Sequence, residues 1–348
     1  MSYNFHTKTI DALRGIAAAA VFFDHSDTSG LATNAWLSAH KGLLGDFGVY
    51  VFFCLSGYLI WQSGTRIIGT PGGIKLYAIH RFTRLVPLYL INLLVVTVAI
   101  SYIGSRWTPT YDAWSLFRHL TFSQDLYPSV ARDINPVLWT LTHEVMFYIL
   151  VPIILMAGIR NKHIILLSSF ALFGVFWACG WLGYFKFAQI FYAFALGIFI
   201  AEASNRARLV ICLLVSALAV YACLGDMLHA QAGRIIAIAF ALSCISLTKG
   251  KECNQIFAWL ISPFAFLGTI SYSIYIWHYQ IIYVVEYYYP FFNRHIPGWS
   301  QYGLVSGIIL CSICIIFSYI SYRLIEKPSM KELRIAMEKM IGGRTALA

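Results

Sequence analysis

The chain has 348 residues, of which 59% are hydrophobic and 11% charged, with a formal net charge of +10. An ordinary soluble domain carries about 25% charged residues, whereas the apolar residues here gather in runs of about twenty, long enough to cross a hydrocarbon core of about 30 Å. This excludes a water-soluble fold, and because no basic run stands in a soluble module, the positive charge reflects topology and excludes nucleic acid.

In chain order, about ten transmembrane helices are predicted, at residues 11–26, 47–64, 80–103, 137–158, 164–181, 184–203, 208–225, 231–248, 263–285 and 302–325. The fold class is therefore an all-α polytopic membrane protein. The polar start, Met1 to Ile10, and the charges Asp11, Arg14 and Asp24 in the first run, with no small-residue cleavage site after it, make a poor signal peptide. With the N-terminus inside, eighteen Lys/Arg fall in inner segments and five (Lys41, Arg106, Arg118, Arg132, Arg294) in outer ones, while Lys186 and Arg234 belong clearly to neither. That bias predicts both termini in the cytoplasm. The eight cysteines read as small buried hydrophobes, and Cys311-x-x-Cys314 as packing and not as a metal site.

A charge at membrane depth needs a partner or a task. On the first helix Arg14 and His25 are eleven residues apart, which places them on one face about 16 Å apart along the axis. Between them, Gly15 to Ala20 form a small-residue wall that lets a helix or an elongated ligand approach. Taken alone, Arg14 reads equally well as a snorkelling cation and His25 as a helix cap. At the inner end of the third helix, Arg81 and Arg84 are three apart and share one side. Such a pair suits phosphate, although a positive-inside anchor is the commoner use of paired arginines.

The long connection from Gly104 to Pro136 holds Trp107, Tyr111, Trp114, Arg118, Asp125 and Arg132, and is expected to be partly helical and interfacial. The fourth helix follows, with Asn135 as cap and Pro136 at the first helical position. Glu144 on it is expected at the depth of His25, where a carboxylate can orient an imidazole and stabilise its protonated form. Asp24 is a second candidate for that task. His278 adds an imidazole in the outer half of the ninth helix, where a lone histidine is more often a structural hydrogen-bonder. The tail from Lys327 to Arg344 reads as a basic amphipathic surface helix on the anionic inner leaflet.

Five ordered segments resemble the membrane-bound acyltransferase 3 family of bacterial sugar O-acyltransferases. They are Ile10 to Ala18 with His25 following, Gly48 to Ile60, Arg81 to Tyr89, Leu138 to Tyr148, and Ser271 to His278 with Glu326-Lys327-Pro328. The chain departs from the family pattern at Thr140 and Thr142, which replace serines, at His143, which replaces an apolar residue, and at Val145, where a second acid is common.

The resemblance implies one membrane domain over residues 1–348 with a cytoplasmic tail at 327–348, without the esterase-like extension of longer members. It implies acyl-CoA, acetyl-CoA first, as donor and a saccharide or lipid-linked glycan hydroxyl as acceptor, among membrane lipids of the bacterial inner membrane and with no metal. Arg14 and His25 match the family's essential pair, Arg81 and Arg84 the motif that holds the donor's phosphates, and Glu144 the acid of the fourth-helix motif. His25, Glu144, Arg14 and Asp24 are thus the catalytic candidates and Arg81, Arg84 and Arg14 the donor-binding ones, with Trp139, His143 and His278 candidates for the acceptor. Two other classes compete. One is a transporter or flippase for a glycoconjugate or small anion, with Arg14, Glu144 and His278 along a polar path, against which no paired half-repeats occur. The other is a haem or metal protein using His25, His143 and His278, which needs axial histidines on facing helices.

Overall fold

A computed structural model describes residues 5–28, 42–103, 112–126, 134–182, 185–224, 229–251, 255–295 and 304–340, and every regular element among these residues is helical. The helices are α1 Phe5–Thr28, α2 Leu43–Ile67, α3 Gly73–Ile103, α4 Ala113–Leu120, α5 Trp139–Met156, α6 Lys162–Ala178, α7 Lys186–Glu202 and α8 Asn205–Leu224. They continue with α9 His229–Thr248, α10 Gln255–Leu260, α11 Ser262–Thr269, α12 Ser271–Tyr287, α13 Tyr289–His295, α14 Leu304–Ser321 and α15 Arg334–Met340. Lys41, Arg106, Trp107, Tyr111, Arg132, Cys253 and Arg344 lie outside the described residues.

Among the described residues, Leu43–Ile67, Gly73–Ala99, Pro136–Met156 and Ser306–Met340 are long and apolar enough to cross a membrane, and Lys162–Ala178 and Ala232–Thr248 are apolar but shorter. The 24-residue α1 has the length but carries Lys8, Asp11, Arg14 and Asp24. Large apolar side chains stand exposed, among them Leu167 and Trp177 on α6, Leu213 and Leu218 on α8, and Trp259 on α10. Faces of this kind suit hydrocarbon as the solvent. The described cysteines are all free, and Cys179 and Cys223 are exposed instead of buried.

The ninth predicted span needs correction. The ninth interval, 263–285, is not one helix but two, α11 and α12, broken at Ile270 (φ −102°, ψ 10°). Gly268 and Thr269 precede the break, and Thr269 turns its hydroxyl back to donate to the Ala265 carbonyl at 3.1 Å. A Gly–Thr pair with such back-bonding is a usual place for a helix to bend or stop.

The chain divides into two compact units, Met1–Tyr58 with Ala193–Ser318 and Leu59–Tyr192 with Tyr319–Ala348. In the first unit, glycines set the helix crossings. A Cβ on Gly15 would lie 1.9 Å from the Phe264 carbonyl oxygen, and one on Gly268 would lie 1.7 Å from that of Asp11, so α1 and α11 meet backbone to backbone. Gly57 and Gly197 do the same for α2 and α7, at 2.1 Å from the Phe194 and 2.2 Å from the Cys54 carbonyl oxygens. The Gly15 end of the small-residue wall on α1 therefore receives another helix.

At the start of α1, His6 pairs through Nδ1 with the Thr248 hydroxyl at 3.0 Å and through Nε2 with the Tyr58 hydroxyl at 2.8 Å. Nearby, Lys249 donates to the Ala201 carbonyl at 2.8 Å. His6 precedes the first predicted span, and burial, then the charges of Lys249 and Arg208, lower its pKa from 6.5. The unfolded chain thus takes up a proton that the folded chain resists, so this contribution to stability is present above pH 6.5 and is lost as the pH falls toward the lowered value. Thermal unfolding in detergent should show the melting temperature falling from about pH 7.5 to about pH 5.5, and the fall should be smaller in His6→Gln.

In the second unit the C-terminal segment docks on α3. Beyond α14 the chain runs through two π-helical stretches, Tyr322–Glu326 and Ser329–Leu333, on either side of Pro328, before α15. Proline lacks the N–H that an α-helical turn would use, and widened turns accommodate it. Glu326, buried, pairs with Arg84 at 2.5 Å, Met330 Sδ lies 3.1 Å from the same guanidinium nitrogen, and Glu338 pairs with His80 at 2.9 Å. The part of the tail between Lys327 and Met340, expected as a helix on the leaflet surface, is therefore packed against the protein.

The long connection is partly helical. Asp112 caps α4 by accepting the Ser115 N–H at 2.7 Å, and Tyr89 of α3 donates to the carbonyl of His119 at 2.7 Å. Asn135 caps the next helical segment by accepting from the Val137 N–H at 3.2 Å and ties it to Asn92 at 3.0 Å.

Candidate active site

The first unit brings two histidines together. His25, in the last turn of α1, and His278, in the middle of α12, meet Nδ1 to Nε2 at 2.7 Å. Their rings are nearly coplanar, 11° apart with centroids 5.0 Å apart, the arrangement of two rings meeting nitrogen to nitrogen. His278 is 1% exposed, and its Nδ1 faces the carbonyl oxygens of Ile274 at 3.1 Å and Tyr275 at 2.8 Å on its own helix. His25 is half-buried, with Tyr279 edge-on to its ring at 5.4 Å. Arg14 stands three turns earlier on α1, also half-buried.

Asp24 has its own structural use. Its Oδ1 accepts the Gly42 N–H at 3.0 Å, at the start of α2, where a carboxylate complements the positive end of the helix. Arg234, left unassigned by charge counting, pairs with Asp46 at 2.8 Å and lies over the Tyr50 ring. It thus stands at the end of α2 that Asp24 caps.

In the second unit Arg81 and Arg84 have different partners. Arg84 is bound by Glu326, whereas the Arg81 guanidinium lies 5.2 Å from the Tyr77 ring centre and 5.5 Å from that of Tyr148. Tyr148 in turn donates to Glu144 at 2.5 Å. Glu144, expected at the depth of His25, is thereby linked through one tyrosine to Arg81, expected at the opposite surface. The Glu144–Tyr148 contact is an i, i+4 pair that the spacing alone could have suggested.

The same unit holds a buried ionic cluster. Asp125 accepts from Lys186 at 2.6 Å through Oδ1, and its Oδ2 lies 2.7 Å from His143 Nε2. Lys186 also lies over the Trp139 ring at 5.1 Å, and Trp139 meets His143 edge to face. His143 is 1% exposed. Of the acceptor candidates on α5, His143 is therefore an interior residue that ties the long connection to the helix, and Trp139 has Lys186 on its face. The participation of Asp125 and Lys186 had no sequence signal beyond their charges.

Residues 7–323 match the acyltransferase 3 family, described as an acyltransferase domain. The chain belongs to this family. A relative from Staphylococcus aureus (strain COL) named "Putative O-acetyltransferase" is 26% identical over 93% of this chain and 57% of its own length. The chain thus spans little more than half of the staphylococcal relatives it matches. "Putative membrane-bound transacylase BcsY" of Komagataeibacter xylinus is 24% identical over 93% of this chain and 83% of its own. "Acyltransferase MdmB" of Streptomyces mycarofaciens is 26% identical over 42% of this chain and 38% of its own. No solved structure matches. The family match spans residues of both units, including Arg14, His25, Arg81, Glu144 and His278.

Proposed function

We propose that this protein transfers an acyl group, acetyl first, from acyl-CoA to a hydroxyl of a cell-envelope or secreted saccharide or lipid-linked glycan. In this reading it spans the bacterial inner membrane about ten times, its termini are cytoplasmic, and transfer occurs at the outer side. The observation that carries the proposal is the His25–His278 pair in a chain of the acyltransferase 3 family.

His25 acts on the acceptor hydroxyl. It takes the hydroxyl proton as the oxygen attacks the thioester carbonyl, and the coenzyme A thiolate that leaves takes that proton from the imidazolium. In the covalent variant His25 is itself acylated and passes the group to the hydroxyl. Arg81 serves the donor's phosphates, since Arg84 is already bound by Glu326, and Glu144 through Tyr148 holds the surroundings of Arg81. Arg14 contacts the donor or keeps α1 in register.

The test is transfer of radiolabel from acetyl-CoA to saccharide in membranes carrying wild type or His25→Ala at equal expression. Wild type should label the saccharide and the variant should fall by about 100-fold or more, the scale of a lost general base. Label that survives the substitution would remove His25 from the reaction.

A further inference from the structure

We infer that His278 is a positioning residue that holds His25 in its Nδ1–H tautomer, so that the nitrogen that meets the acceptor proton is His25 Nε2. The inference deepens the acyl-transfer reading: the tautomer stands on the geometry alone, and the part played by Nε2 toward the acceptor rests on that reading.

The hydrogen-bond geometry is directional. The His278 Nδ1 faces two carbonyl oxygens, at 2.8 and 3.1 Å, and a carbonyl oxygen only accepts. His278 Nδ1 therefore carries a proton, because a lone pair there would face two oxygen lone pairs. In the neutral ring Nε2 is then an acceptor, and the proton in the 2.7 Å bond belongs to His25 Nδ1. A cationic His278 would reverse that bond, but it would place a full charge on a ring that is 1% exposed in a predicted membrane helix. With Nδ1 protonated, neutral His25 carries its lone pair on Nε2.

The arrangement performs the task that a carboxylate performs in a hydrolase triad, with one difference. An acid partner fixes the tautomer and also stabilises the imidazolium by its charge. A neutral imidazole whose other nitrogen is held by its own helix supplies orientation and no charge. When the acceptor's O–H bond breaks, the proton adds to His25 Nε2, and the departing thiolate later removes it. The backbone of α12 is the outermost member of the chain, since the Ile274 and Tyr275 carbonyls set His278, and His278 sets His25.

The test uses the full chain in detergent micelles with nitrogen-15-labelled histidine, comparing wild type, His278→Phe and His278→Gln. Phenylalanine keeps the ring shape without an acceptor, and glutamine offers an amide oxygen at a comparable reach. The His25 signals, assigned by their loss in His25→Asn, should show Nδ1 protonated and Nε2 unprotonated in wild type, a mixture of tautomers in His278→Phe, and the wild-type pattern in His278→Gln. For transfer from acetyl-CoA, His278→Phe should lose about 100-fold in kcat with KM changed less than about twofold, and His278→Gln should return to within about tenfold of wild type. An unchanged His25 tautomer in a folded His278→Phe protein overturns the inference, as does a kcat within about threefold of wild type. If wild type transfers nothing from any acyl-CoA, the acyl-transfer reading fails, and the tautomer measurement still decides the role of His278.

Discussion

Arg84→Ala should destabilise the protein by about 3–5 kcal/mol, because it leaves the Glu326 carboxylate, fully buried, without the guanidinium that neutralises it. The effect goes beyond one lost contact. Glu326 sits in the first π-helical stretch, and the same guanidinium nitrogen meets Met330 at 3.1 Å, so Arg84 holds the near part of the C-terminal segment on α3, while His80 holds the far part through Glu338. Thermal unfolding in detergent should show a large fall in melting temperature, and limited proteolysis should cut between Glu326 and Met340 earlier than in wild type. The double substitution Arg84→Met with Glu326→Leu should recover most of the stability, since replacing both members of a buried pair by apolar residues is often close to neutral. An Arg84 used only to hold donor phosphates would give the opposite pattern, a raised KM for acyl-CoA with an unchanged melting temperature.

Gly268→Val should be more damaging than its small change in volume suggests. The first atom added falls 1.7 Å from the Asp11 carbonyl oxygen, which is backbone and cannot rotate aside, so α1 and α11 must separate. Overpacking in a core costs about 1–3 kcal/mol where side chains can yield, and a backbone contact belongs at or beyond the upper end of that range. Because α1 also carries His25, the displaced helix should lose transfer activity together with stability. Gly174→Val on α6, where an added Cβ meets no atom within 4 Å, is the control and should stay close to wild type in both measurements. Equal melting temperatures for the two variants would show that the crossing tolerates a side chain.

The helices and their approximate limits were legible in the chain because twenty-residue apolar runs have few other uses. The cap at Asn135 followed from the local chemistry of Asn135 and Pro136, although it closes the short turn Pro136–Leu138 that leads into α5, and the Asp112 cap of α4 was not anticipated. The ninth span reads as continuous because the apolar run resumes directly after Gly268-Thr269, and that pair, the local signal for a break, is outweighed by the hydropathy on either side. Within the candidate site, His25, Arg14, Arg81, Arg84 and Glu144 could be singled out because charge and imidazole are rare in such runs.

What the sequence by itself determined was therefore the solvent, the helical class, the family resemblance and the short roll of polar residues that demand an explanation. The pairing of those residues was decided only by the tertiary structure. His25 was expected to use a carboxylate and meets His278, 253 positions away, whereas Glu144 meets Tyr148 and Arg84 meets Glu326. The physical reason is that helical periodicity fixes which face of its own helix a side chain occupies, but not which other helix that face meets. That choice belongs to the crossings of the helices, and in the first unit these are set by the glycine contacts between α1 and α11 and between α2 and α7.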